Sequence, residues 1–79
     1  MKVEILTPKG LELDTEAKVV IAPTLSGEIS VLPNHVPIIS VLKSGTLTIR
    51  TTEKDITREI ESGIMELDKD RMVILLKRF

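Results

Sequence analysis

The sequence predicts an all-β protein, a small two-sheet antiparallel β-sandwich made by a single domain over residues 1–79. Three observations predict it. Apolar and polar residues alternate in short runs, which places successive side chains on opposite faces of a strand. Turn-forming clusters separate the runs at about one strand's spacing. No stretch carries a convincing helical period.

Taken in order, Val3 and Ile5 alternate with Lys2 and Glu4 to give a strand over 2–7, closed by Pro8-Lys9-Gly10. Strands over 10–14 and 16–23 lead to the turn Leu25-Ser26-Gly27, and 28–32 and 37–42 flank a proline segment. Lys43-Ser44-Gly45 opens 45–51, where Leu47 and Ile49 oppose Thr46, Thr48 and Arg50. Thr52-Glu53-Lys54-Asp55 precedes 56–61, in which Ile56 and Ile60 flank Arg58. The last two strands, 63–68 and 71–77, turn at Asp68-Lys69-Asp70. The best helical window, 54–67, contains β-branched Ile56, Thr57, Ile60 and Ile64 and is interrupted by Gly63, all unfavourable to a helix. One sheet of these strands would leave an apolar face in water, so two packed layers are expected.

Composition then removes whole classes of function. At 79 residues the chain is near the low end for independent folding, and a domain of this size buries only roughly 60–65% of its unfolded surface. A hydrophobic content of 42% is too high for a disordered tail. With one Phe and no Trp or Tyr there is no aromatic platform for bases, and a net charge of −1 lacks the positive field of a nucleic-acid binder. The absence of cysteine rules out disulfides, thiolate zinc sites and cysteine nucleophiles. No apolar run reaches the roughly 20 residues that span a bilayer. A soluble monomer is expected, able to join a hetero-oligomeric complex but not to insert in a membrane.

One window stands apart. Between Lys18 and Lys43 the only formal charge is Glu28, although 29% of all residues are charged. Such a gap marks core or a face made for a partner. It holds the only histidine, His35, in the segment Pro33-Asn34-His35-Val36-Pro37. Two prolines remove two amide donors, so the segment reads as an edge strand or a rigid crossing between sheets. His35 then has two compatible readings. Its ring, partly buried, bonds carbonyls left unpaired by the prolines, or the rigid segment presents it to another chain.

Catalysis finds little support. Ser26, Ser30 and Ser40 lie near His35 in sequence, but no nucleophile-elbow glycines surround them. A metal site at His35 would have only Glu28 nearby. Asp68-Lys69-Asp70 lacks the glycine and later ligands of a calcium loop, and no glycine-rich phosphate cradle is present. No catalytic residue, metal ligand or cofactor is expected. Glu28, after Ser26-Gly27, suits a plain turn acid, and its isolation also suits a charge that orients an otherwise apolar contact.

The run Gly27-Glu28-Ile29-Ser30-Val31-Leu32-Pro33-Asn34-His35-Val36-Pro37-Ile38-Ile39 closely resembles the G-E-x-G-I-L-P-G-H-A-P-L-L signature of the epsilon subunit of F-type ATP synthases. Val3 to Gly10 is similar to that family's first strand and turn, Lys43 to Arg50 to its K-P-G-x-L-x-I-R segment, and Ser62 to Leu67 to its G-G-x-x-E-V. The similarity runs through essentially the whole chain in unbroken order. Ser30, Asn34, Ser44 and Ser62 depart from the pattern. Asn34 can keep a left-handed turn where the family has glycine, whereas Ser30 could not do so easily.

The resemblance implies a ten-stranded sandwich, against the nine strands of the periodicity, and a non-catalytic part of the central rotor. It implies that the gamma subunit is gripped by one face and that an end rests on the polar loops of the membrane c-ring. Carried over by position, Ser26, Gly27 and Glu28 match the c-ring side, and Asn34, His35, Val36 and Pro37 match a region toward gamma. The family's ATP-binding and inhibitory functions reside in a helical hairpin beyond the sandwich, and the sequence stops at Phe79, so neither is expected here. The implied location is peripheral, on the cytoplasmic face of a bacterial-type energy-coupling membrane or in an organellar stroma. A free-standing adaptor using the same charge-poor window is the alternative, and a small hydrolase built on His35 a distant third.

Overall fold

The computed structural model describes all 79 residues and contains nine strands and no helix. They are β1 (Lys2–Thr7), β2 (Gly10–Glu16), β3 (Val19–Thr24), β4 (Gly27–Val31), β5 (Ile38–Leu42), β6 (Gly45–Arg50), β7 (Asp55–Ile60), β8 (Gly63–Asp68) and β9 (Arg71–Leu76). Each run read from the periodicity is a strand, so nine is the number rather than the ten of the resemblance. One boundary moves. The break after β2 falls at Ala17-Lys18, because the Ala17 amide donates to the Met1 carbonyl and the Lys18 amide to that of Arg50. The chain changes layers there.

Hydrogen bonding follows a single path, β2-β1-β9-β8-β5-β3-β6-β7, with β4 on β3. Between β5 and β3 the only register pair is Thr24 with Leu42. At that corner the sheet folds over itself. One layer is β2-β1-β9-β8-β5 and the other is β4-β3-β6-β7, the two-layer sandwich that the pattern required. Thr24 is the one buried polar side chain of the corner. Its hydroxyl donates to the Gly27 carbonyl at 2.6 Å and accepts from the Ser26 amide at 3.2 Å, so its burial leaves nothing unpaired.

All strand pairs are antiparallel except one. β1 and β9 run parallel, from Lys2 beside Arg71 to Leu6 beside Leu75. Two-residue turns close β1–β2, β3–β4 and β8–β9, and the four residues 51–54 close β6–β7. In β8–β9, Lys69 and Asp70 have φ of 52° and 60°, the type I′ geometry that matches strand twist. The β3–β4 turn ends on Gly27 at φ 114°, a conformation that a side chain would strain.

The core lies between the layers. Val3, Ile5, Met65, Leu67, Met72, Ile74 and Leu76 point inward from the first layer, and Val20, Ala22, Val31, Leu47, Ile49 and Ile60 from the second. All are aliphatic or thioether, as expected of a chain with a single Phe. The segment Leu32–Pro37 joins β4 of one layer to β5 of the other, so it is the rigid crossing.

Candidate functional site

The first layer has a second apolar face, turned to solvent. Strand registers align Leu11 with Leu6, Leu6 with Leu75, Leu75 with Ile64, and Ile64 with Val41. One row of five aliphatic side chains therefore crosses all five strands. Leu11, Val41, Ile64 and Leu75 remain 47–56% exposed, and Ile39, two residues before Val41 on the same face, is 72% exposed. Scattered exposed leucines are ordinary, but a contiguous row marks a contact surface. Pro8, Ser62 and Lys77 border a shallow hollow beside Val41, Ile64 and Leu75.

Sequence reasoning sought contact residues in the charge-poor window and did not single out Leu6, Leu11, Ile64 and Leu75 of this row. A signal was available. Ile5-Leu6, Ile64-Met65 and Ile74-Leu75-Leu76 are apolar on both parities, and a strand that buries one face in a sandwich does not need the other face apolar. The window still contributes most of the exposed aliphatics, namely Leu25, Leu32, Val36, Ile39 and Val41.

The two sets of residues singled out from the sequence lie toward opposite ends of β5. Asn34, His35, Val36 and Pro37 precede its first residue, whereas Leu25-Ser26 adjoins its last, the Leu25 amide donating to the Val41 carbonyl. Five residues of strand separate them, about 15 Å. Both border the apolar face. Pro37 shares a hollow with Ile39 and Glu66, and Leu25 and Ser26 share one with Ile39 and Val41.

His35 is exposed, not partly buried. Without amide donors at the prolines the segment pairs with no strand, and nothing packs over it. The ring turns back on its neighbour, Nδ1 lying 2.7 Å from the Val36 carbonyl. A carbonyl only accepts, so the contact is a hydrogen bond in the form that carries a proton on Nδ1. No serine hydroxyl or carboxylate bonds this ring. No group of three or more His, Cys, Asp and Glu side chains converges anywhere in the chain.

Asn34 has φ 65°, the left-handed turn that asparagine tolerates. Ser30 lies inside β4 without positive φ, so its substitution for glycine imposes no strain. Asp70 anchors the segment, its Oδ1 accepting from the Asn34 amide at 2.9 Å while its other oxygen lies 3.6 Å from the Met1 amino group. Asp70→Ala should lower stability by about 1 kcal/mol and speed hydrogen exchange of the Asn34 amide, with Asp70→Asn milder on both. Unchanged Asn34 exchange in the alanine variant would show that Asp70 does not hold the segment.

Glu28 is exposed on β4, opposite Pro23, and makes no ion pair. It stands as an unengaged charge next to the turn.

A family model described as the β-sandwich domain of the ATP synthase delta/epsilon chain matches residues 1–79. The chain belongs to this family. Among curated relatives, the ATP synthase epsilon chain of Brevibacillus brevis is 37% identical over 76 residues, covering 95% of this chain and 58% of the relative. The chloroplastic epsilon chain of Coffea arabica is 36% identical over 72 residues, covering 91% and 54%. This member of the delta/epsilon family thus spans somewhat more than half the length of the curated relatives it matches. A chain in the Euglena gracilis mitochondrial ATP synthase has the same fold, with a TM-score of 0.88 at 19% identity over 96% of this chain and 49% of that one. A chain in the central stalk and c-ring structure of the Tetrahymena thermophila mitochondrial enzyme gives 0.82 at 18%, over 96% and 62%.

Proposed function

We propose that this delta/epsilon-family domain is a non-catalytic part of an F-type ATP synthase rotor, coupling the gamma subunit to the membrane c-ring. The observation that carries the reading is the aliphatic row Leu11-Leu6-Leu75-Ile64-Val41 on the solvent side of the first layer. A torque-bearing joint needs a broad contact that does not slip, and a rigid sheet face supplies one. Gamma covers this face, with Asn34, His35, Val36 and Pro37 at its margin. Ser26, Gly27 and Glu28, at the other end of β5, meet the polar loops of the c-ring. The names of the relatives and the central-stalk setting of the Tetrahymena structure support the reading. The domain then works on the peripheral, cytoplasmic side of the coupling membrane. No helix is long and apolar enough to cross a membrane.

The two contacts differ in physics. The gamma contact falls near the standard size, on the order of 1,600 Å² in total, with aliphatic side chains supplying most of its affinity. Glu28 is a solvated rim charge, which orients and steers more than it binds. Glu28→Gln should leave folding and gamma affinity nearly unchanged while weakening docking to the isolated c-ring, most visibly at low salt, where screening is least. Titrating both partners with both proteins decides it. Loss of gamma affinity with intact c-ring docking would reverse the two surfaces.

A further inference from the structure

The solvent face of the first layer is banded by charge as well as by polarity. Two residues along the strands from the aliphatic row on one side, or three on β2 across its bulge, registers align Asp14, Glu4, Val73, Glu66 and Ile39. On the other side of the row lie Lys77, the first residue past the end of β9, and Lys43, the first past the end of β5, with Lys9 in the β1–β2 turn. Lys77, Lys9 and Arg78 line one hollow together with a single side-chain carboxylate, Glu12, which accepts from the Thr7 hydroxyl. Glu4 and Asp14 are engaged by Arg71 and Lys2, but Glu66, Lys9, Lys43 and Lys77 make no ion pair within the chain. The face therefore reads acid, aliphatic, base.

That order is self-complementary. A two-fold axis lying along the aliphatic row lays one copy face down on another, stacks row on row, and places each acid band over the other copy's basic band. We propose that the free chain pairs with a second copy of itself through this face, in a two-fold dimer held by the aliphatic row and oriented by the crossed bands. Rotation about the perpendicular in-plane axis would set acid on acid and is disfavoured. In the permitted arrangement Lys77 of one copy falls near Val73 of the other, between Glu4 and Glu66. Both sheets twist, so their strands cross at about 30° and charges near the centre meet best. Glu66 and Lys77 are central.

Self-association along the β2 and β7 edges is discouraged by charge. The β2 edge carries Glu12, Asp14 and Glu16 together with a bulge, and the β7 edge carries Asp55, Arg58 and Glu59, devices that keep edges from pairing. The aliphatic row crosses five strands, about 19 Å, nearly the width of a domain measuring 26 × 25 × 20 Å. Without the Asn34–Pro37 margin that the gamma contact adds, the sheet face alone lies below the roughly 800 Å² per partner of a standard interface, so the dimer is weak and dissociates on dilution to the monomer expected from the sequence. Pairing does not depend on the rotor role, but it uses the face assigned to gamma, and the two contacts exclude each other.

Sedimentation equilibrium of the chain from micromolar to millimolar concentration tests the proposal. The average mass should rise from 8.8 kDa toward twice that value, and Ile64→Asp should hold it at the monomer value with an unchanged circular dichroism spectrum. Glu66→Lys and Lys77→Glu, each alone, should weaken the dimer by about tenfold or more, since each repulsion occurs twice in a symmetric pair. An equimolar mixture of those two variants should dimerise again, because opposite charges then meet across the interface. A merely misfolded variant could not be rescued by mixing. A monomer mass at every concentration, meaning that the face serves only a different partner, would overturn the proposal. So would a dimer indifferent to Ile64→Asp, or variants that fail to recover on mixing.

Discussion

Replacing Ile74 with alanine should leave the domain only marginally folded. Ile74 is fully buried and sits on β9 between Ile5 of β1 and Met65 of β8, both also fully buried. Truncating a buried isoleucine costs about 2–5 kcal/mol through lost transfer energy and the cavity left behind. A domain of 79 residues has, at about 0.05–0.15 kcal/mol per residue, only some 4–12 kcal/mol in total. At about 4–8 °C per kcal/mol for this size, the thermal midpoint should fall by roughly 8–40 °C. Leu75, the next residue, points to solvent and is half exposed. Leu75→Ala should shift the midpoint by only a few degrees. Thermal melts followed by circular dichroism separate the two, and similar losses would mean that the inward and outward faces of β9 are misassigned.

Ile64→Asp should do the reverse, sparing the fold and removing gamma binding. The side chain is 47% exposed on the outer face, flanked across the strands by Val41 and Leu75. Polar substitution at such a site normally changes stability within about 0.5 kcal/mol. In the proposed gamma contact, however, an aspartate there is desolvated without a partner, a cost of several kcal/mol. Central aliphatic positions of this kind lose 2–4 kcal/mol or more when disrupted, which corresponds to roughly 30- to 1,000-fold in affinity. Calorimetry with the gamma subunit should show at least a 30-fold weakening. A change under about threefold, with a large loss for Val36→Asp instead, would move the centre of the contact from the sheet face to the proline segment.

The contrast between Ile74 and Ile64 marks how far the sequence could be read. Alternation, turn residues and the Pro33–Pro37 segment located every strand and the crossing between layers, because these are local properties of the backbone. The parallel pairing of β1 with β9 was not legible. It joins strands from opposite ends of the chain, and no local spacing encodes it. That pairing is what aligns Leu6 with Leu75 and carries the aliphatic row from β9 onto β1 and β2. From the sequence, the charge-poor window led only to the part of the aliphatic row contributed by β5. Leu6, Leu11, Ile64 and Leu75 lie outside the window among charged neighbours such as Glu4, Glu66 and Lys77, and only tertiary register brings them into one row. The exposure of His35 was misjudged for a related reason. Its neighbours in sequence are apolar, yet the segment pairs with no strand and the side chain stays in water.

The central claim is that the outer face of the first layer, rather than the loops at its ends, is the broad docking surface. The most direct measurement is amide chemical-shift mapping of the uniformly labelled chain as the unlabelled gamma subunit is added. The largest changes are expected at Ile39, Val41, Ile64 and Leu75, with Glu66 and Lys77 beside them, smaller ones at Asn34 to Val36, and little at Ser26 to Glu28. Changes confined to either loop, with the four aliphatic positions unmoved, would contradict it.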